Sequence, residues 1–180
     1  MKVMSTQADS GELTRSFLDV SRHRLIKEFW PRIGTCLDSL TDEQVWWRPN
    51  ESSNSIGNLL LHLNGNVTQW ILSALGGMED KRNRDAEFAE REQVPMAVLR
   101  DTVGGTLADV DRVLIGLTTA DLLRVHMIQG YEVSGMEAVY HVVEHFGMHY
   151  GQILYITKLV TGGDLGFYRH LSGDSQAKRV

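Results

Sequence analysis

Apolar positions recur at helical spacing along most of the chain. Between Gly11 and Leu40, the residues Leu13, Phe17, Leu18, Leu25, Ile26, Phe29, Ile33, Leu37 and Leu40 fall at steps of three, four and seven, the period of one helix face. Pro31 lacks the amide hydrogen that a helix interior requires, so a kink or restart is expected after Trp30. Thr41 to Gln44 starts a single turn that leads to Trp46 and Trp47 and ends at Pro49. The paired indoles read as a core or interface plug. The polar run from Glu51 to Ser55 supplies N-caps for a second helix, Ser55 to Leu75, which Gly76 and Gly77 stop. Ile56, Leu59, Leu60, Leu61, Leu63, Val67, Trp70, Ile71 and Leu72 make this helix apolar over most of its circumference and predict deep burial. Gly57 and Gly65 are unfavourable in a helix interior, which points to close approach of another backbone.

From Met78 to Val94 the pattern breaks. Ten of these residues are charged and Phe88 is almost the sole apolar anchor, so a long surface connection is expected. A connection of this length is either merely solvated or a lid or rim, with Arg82, Arg84 or Asp85 turned to a site. Pro95 suits the first position of a third helix, in which Met96, Leu99, Val103, Leu107, Val110, Leu114 and Leu117 form a seam. Thr118 to Asp121 closes that helix, and Val125 to Val133 forms a short hairpin or extended crossover carrying His126 at the surface. Ser134-Gly135-Met136-Glu137 matches the capping box, so a fourth helix starts there and runs to about Thr161, ended by Gly162 and Gly163. Phe167, Tyr168 and Leu171 can pack back on it, and the tail from Ser175 to Val180 is expected to be loose.

The prediction is therefore all-α: a four-helix bundle with a long charged loop between helices 2 and 3 and a short extended crossover before helix 4. At 180 residues the chain fits a single domain, residues 1–180. An apolar fraction of 42% and a charged fraction of 23% are those of a soluble globular protein, and no run approaches the roughly 18 apolar residues of a membrane span. The first residues carry charge and no apolar core of a secretory signal, which makes the cytoplasm the expected location. The single Cys36 excludes an intrachain disulfide and reads as a small buried apolar residue. A net charge of −5 offers no footprint for nucleic acid.

Against this framework the histidines stand out. His141, His145 and His149 follow at intervals of four and so share one helix face. Two imidazoles at i and i+4 can supply two metal ligands from one rigid backbone. Side chains eight residues apart lie about 12 Å apart along the axis, so the ligand pair is 141/145 or 145/149, and spacing does not choose. On the second helix, Asn58, His62, Asn66 and Gln69 form a narrow polar stripe. For an isolated histidine there, exposure to water or a hydrogen-bonded place in the core is the simpler expectation. If the fold brings His62 opposite the ladder, three nitrogens converge, and three protein ligands leave positions for water or substrate. Gln152 lies on the side of His149, and Asn66 on that of His62, where each can orient a ligand.

The run Leu60-Leu61-His62-Leu63-Asn64-Gly65-Asn66 followed by Trp70, then Arg82-Asn83-Arg84-Asp85-Ala86-Glu87-Phe88, then His145 and His149-Tyr150-Gly151-Gln152-Ile153, resembles the DinB-like superfamily, and the likeness spans nearly the whole chain. Members are four-helix bundles, often homodimeric, with a histidine triad that binds zinc, nickel or another divalent ion. The resemblance implies His62, His145 and His149 as ligands and leaves His141 as a supporting group or pocket wall. It implies a metal-dependent hydrolase, or a thiol S-transferase using a low-molecular-weight thiol, acting on a small-molecule substrate. Zinc or nickel is the expected ion, with iron, manganese and copper also open to imidazole ligands. Arg82 and Arg84 are the candidate contacts for an anionic part of that substrate. The alternative from a different class is a non-catalytic stress or interaction protein whose metal only ties helices together.

Overall fold

The structure, a computed structural model, describes residues 10–169. The first long helix, α1, occupies residues 10–37 and is built from three pieces: Ser10–Arg22, a π-helical stretch His23–Phe29, and Trp30–Leu37. Pro31 explains the middle piece. Its missing donor breaks the ordinary ladder, and the backbone answers by widening the turn before it, with the amide of Trp30 bonded to Leu25 O. The expected interruption is therefore absorbed within a continuous helix rather than ending it.

A short helix α2, Asp42–Val45, begins at a capping box between Thr41 and Gln44. It delivers Trp46 into the core, where the indole Nε1 donates to Val94 O at 3.0 Å, while Trp47 stays 38% exposed. Only one of the paired tryptophans is thus a core plug. The second long helix, α3, covers residues 56–73 as Ile56–Val67 and a π-helical Thr68–Ser73. Its cap is a reciprocal pair, Ser55 and Asn58. A Cβ at Gly57 would lie 2.7 Å from the Trp46 ring, so an indole side chain, not a neighbouring backbone, demands glycine there.

The charged connection folds. Asn83 caps a six-residue helix α4, Arg84–Ala89, and Asn58 Nδ2 ties its end to α3 by donating to Glu87 O at 3.0 Å and Glu90 O at 3.2 Å. Helix α5, Met96–Gly116, follows, with Pro95 as its N-cap rather than its first turn, and buries Leu99, Val103, Leu107, Val110 and Leu114. Thr118 to Asp121, expected to close α5, instead forms the capping box of a further short helix, α6, Thr119–Leu123. Strands β1, Val125–Ile128, and β2, Tyr131–Ser134, pair antiparallel as a hairpin. His126 is partly buried at the hairpin, with its Nε2 enclosed, rather than at the open surface.

Helix α7, Gly135–Thr161, starts at the Ser134 and Glu137 capping box and stops at Gly162, whose φ of 66° is the left-handed cap that glycine supplies. The four long helices form a closed ring of packing: α1 on α5, α5 on α3, α3 on α7, and α7 on α1. One hydrophobic cluster fills the ring, with Phe146, Leu25, Ile33, Leu60, Leu63 and Leu107 among its enclosed side chains. Cys36 is buried in it. Among the described residues no helix is long and apolar enough to cross a membrane. Phe167 packs against the cluster, whereas Tyr168 is exposed, and Leu171 and the tail 175–180 lie outside the described residues.

Candidate metal centre

Helices α3 and α7 face each other along the polar stripe of one and the histidine ladder of the other. Because α7 is helical without a break, His145 and His149 project from the same face one turn apart. His62 projects from α3 toward both. It is buried, as are Asn58 and Asn66 beside it, so this part of the stripe does not face water, and His149 opposite is buried too. His62 Nε2 lies 3.1 Å from His145 Nε2, and His149 Nε2 lies 3.2 Å from the same atom. The three residues form a group whose ligand atoms all lie within 4.8 Å of one another.

The outer nitrogens fix the tautomers. Burial alone would raise the Glu87 carboxyl, but hydrogen bonds from His62 and Arg82 outweigh it and hold Glu87 below its ordinary range, as an ionised acceptor. His62 Nδ1–H therefore donates to Glu87 Oε2 at 2.8 Å. On the other side, His149 Nδ1–H donates to Gln152 Oε1 at 2.8 Å. Both rings are thus left with an Nε2 lone pair aimed at His145. Burial, reinforced by the neighbouring histidines, pushes His145 down to about 3, and burial also lowers His149, so these two rings are neutral at physiological pH.

This donor set suits a cation. His145 Nε2 can carry one hydrogen at most and could satisfy one of the two lone pairs facing it, leaving the other buried without a donor. A divalent ion satisfies all three. Two nitrogens on one tetrahedral ion, each at about 2.0–2.1 Å, sit about 3.3 Å apart, close to the 3.1 and 3.2 Å found here.

Behind His62 lies a charged buttress. Arg82 Nε donates to Glu87 Oε1 at 2.7 Å, Nη2 to Glu87 Oε2 at 3.0 Å, and Nη1 to Gln69 Oε1 at 3.0 Å. The Arg82 side chain is 3% exposed and that of Glu87 10%, so this pair is enclosed. Gly65 permits the arrangement: a Cβ at that position would collide with the Glu87 carboxylate. Phe88 covers the His62 ring at 4.5 Å between centroids, and the Arg84 guanidinium sits over Phe88 at 4.9 Å.

The remaining sequence candidates fall into place around this core. His141 stacks on Trp70 at 3.9 Å between centroids and lies 5.2 Å from the His145 ring, outside the ligand group. Asn66 Nδ2 lies 3.2 Å from His141 Nε2, so Asn66 supports His141 rather than a ligand. Gln152 is placed directly on His149. Arg82 is turned inward to Glu87 and Gln69, and Arg84 sits outside on Phe88. Asp85 is exposed. Glu87 and Phe88 went unassigned in the sequence. The signal for them was the stripe itself, since buried Asn58 and His62 require partners and the charged connection is the nearest source.

The fold is shared with proteins of low sequence similarity. A DinB-like protein from Bacillus cereus ATCC 10987 superposes with a TM-score of 0.63 at 16% identity, over 81% of this chain and 91% of that one. A conserved protein from Enterococcus faecalis gives 0.61 at 18% identity, over 91% of this chain and 99% of the other. The chain therefore shares the fold of a DinB-like protein. A family model described as "Protein of unknown function (DUF1572)" matches residues 12–172, and the chain belongs to that family. No curated protein matches the sequence.

Proposed function

We propose that the four long helices are a single-domain four-helix bundle in which His62, His145 and His149 hold a divalent ion, zinc or nickel ahead of iron, manganese or copper. On this reading the protein is a metal-dependent hydrolase or thiol S-transferase acting on a small molecule. The observation that carries it is the convergence of three imidazole nitrogens, with two rings locked from behind by Glu87 and Gln152. An ion held there would supply Lewis acidity toward a water or thiol nucleophile and the bond under attack.

The residues of the chain have separate tasks. Glu87 holds the His62 ring with its lone pair inward, and Gln152 does the same for His149. Phe88 shields the His62 ring on one side, and the His141–Trp70 stack flanks His145 on the other. Three protein ligands leave the remaining coordination positions to substrate. A homodimer, which the resemblance to DinB-like proteins implies, is checked by sedimentation of the purified protein.

Elemental analysis of the purified chain and of His62→Ala, His145→Ala and His149→Ala tests the site. About one equivalent of metal per chain, lost in each variant, is expected; retention in all three overturns the assignment. Consumption of a low-molecular-weight thiol with an electrophile, against hydrolysis of an ester, then separates transferase from hydrolase. A second reading, a non-catalytic stress or interaction protein whose ion only ties α3 to α7, draws on the burial of His62 and His149. X-ray absorption showing a coordination sphere closed by a fourth protein ligand supports that alternative.

A further inference from the structure

The hairpin between α6 and α7 turns through two residues, Gln129 and Gly130, with φ of 53° and 82°. A two-residue turn with both φ values positive takes Asn, Asp or Gly at its first position, because these enter the left-handed region most readily. Glutamine is not among them. Gln129 is also exposed, so core packing does not hold it there. A local rule broken in this way points to a task for the side chain.

That side chain reaches back to the metal centre. Gln129 Nε2 donates to Gln69 Oε1 at 2.7 Å, and the same oxygen accepts from Arg82 Nη1 at 3.0 Å. The other end of the Gln69 amide donates to Asp80 Oδ2 at 2.7 Å, while Asp80 Oδ1 accepts from the Arg82 backbone amide at 3.0 Å. Gln69 is thereby oriented from both sides. Arg82 in turn grips both oxygens of Glu87, and Glu87 accepts from His62 Nδ1. An unbroken chain of hydrogen bonds runs from the hairpin tip, through α3 and the charged connection, to one of the three histidines.

We propose that Gln129 and Gln69 are positioning residues of the metal centre. The hairpin tip fixes the Gln69 carbonyl, which fixes the Arg82 guanidinium, which sets the angle of the carboxylate that orients His62. Outer partners of a metal ligand commonly change affinity 10- to 100-fold when removed, and the effect thins with each further bond. This inference rests on the metal-site reading above and adds the hairpin to it.

The test uses the full chain and zinc, with affinity measured by competition against a chromogenic chelator and stability by urea unfolding of the metal-free form. Gln129→Asn gives the turn a favoured residue while withdrawing the amide from Gln69. The unfolding midpoint is expected to hold or rise as zinc affinity falls about threefold, opposite movements that a merely structural role for the turn does not produce. Gln69→Ala is expected to cost about tenfold, and the double variant to bind no more weakly than Gln69→Ala alone, because Gln129 acts through Gln69. Wild-type affinity in Gln129→Asn, or losses that multiply in the double variant, overturns the relay. Wild-type protein that takes up no zinc or other divalent ion overturns the metal reading itself and the relay with it, a result seen before any hairpin variant is made.

Discussion

Glu87 Oε2 lies 2.8 Å from His62 Nδ1, although the two residues sit on different helices, one of them in the most charge-rich stretch of the chain. This contact turns a buried histidine into a directed ligand. It also anchors the connection 78–94 to α3, helped by Arg82, which grips the same carboxylate and donates from Nη1 to Gln69 Oε1.

Glu87→Ala should therefore damage stability and metal binding together. It strips the counter-charge from an arginine that is 3% exposed, and breaking a buried pair from one side typically costs about 3–5 kcal/mol. Metal affinity should drop by about 10- to 100-fold as the His62 ring loses its anchor. Chemical denaturation and a chelator competition measure the two losses, and an unchanged affinity would count against the role given to Glu87.

Gly65→Ala sets two rules against each other. Helix propensity alone favours alanine by about 1 kcal/mol in the interior of α3. The added Cβ collides with the Glu87 carboxylate, so the predicted sign is the reverse: a lower melting temperature and weaker metal binding. A stabilised variant with normal affinity would show that the close approach of Glu87 is dispensable.

Acid should destabilise the metal-free protein through the histidine group. His145 is pushed from 6.5 to about 3 by burial and by its neighbouring histidines, so between those values the unfolded chain binds a proton that the folded chain refuses. Stability is then full above about pH 6.5 and falls as the pH drops toward about 3. The urea midpoint followed across this range should show the slope, and His145→Leu should flatten it.

Phe146 separates the core from the site. It is fully enclosed and stacks near Phe29 at 6.4 Å between centroids, immediately beside His145 in sequence but on the core side of α7. Phe146→Ala should cost about 3–5 kcal/mol by opening a cavity. His149→Ala, by contrast, should abolish metal binding while the metal-free form still unfolds cooperatively in urea.

The helices were legible because burial imposes a period. Leu99 to Leu114 recur on one face of α5, and Ser134, Glu137 and Gly162 mark the limits of α7 by local hydrogen bonding that the sequence spells out. The same local rule explains a misplacement: Thr118 and Asp121 were assigned to a helix end, yet that pair is the signature of a helix start, and α6 begins there. The π-helical stretch before Pro31 was visible only as an interruption, since the missing donor dictates a break and not how the backbone repairs it.

The sequence by itself determined the long helices, their caps and the spacing that places His145 and His149 on one face, because these depend on residues within a few positions of one another. It left the partner of His62, the burial of Arg82 and the reach of Gln129 undetermined. Those contacts join residues 25, 13 and 60 positions apart, across a connection whose charges carry no period. A charged side chain in such a stretch is read as solvated until a buried group of opposite character is brought against it, and only the packing of α3, α4 and α7 does that.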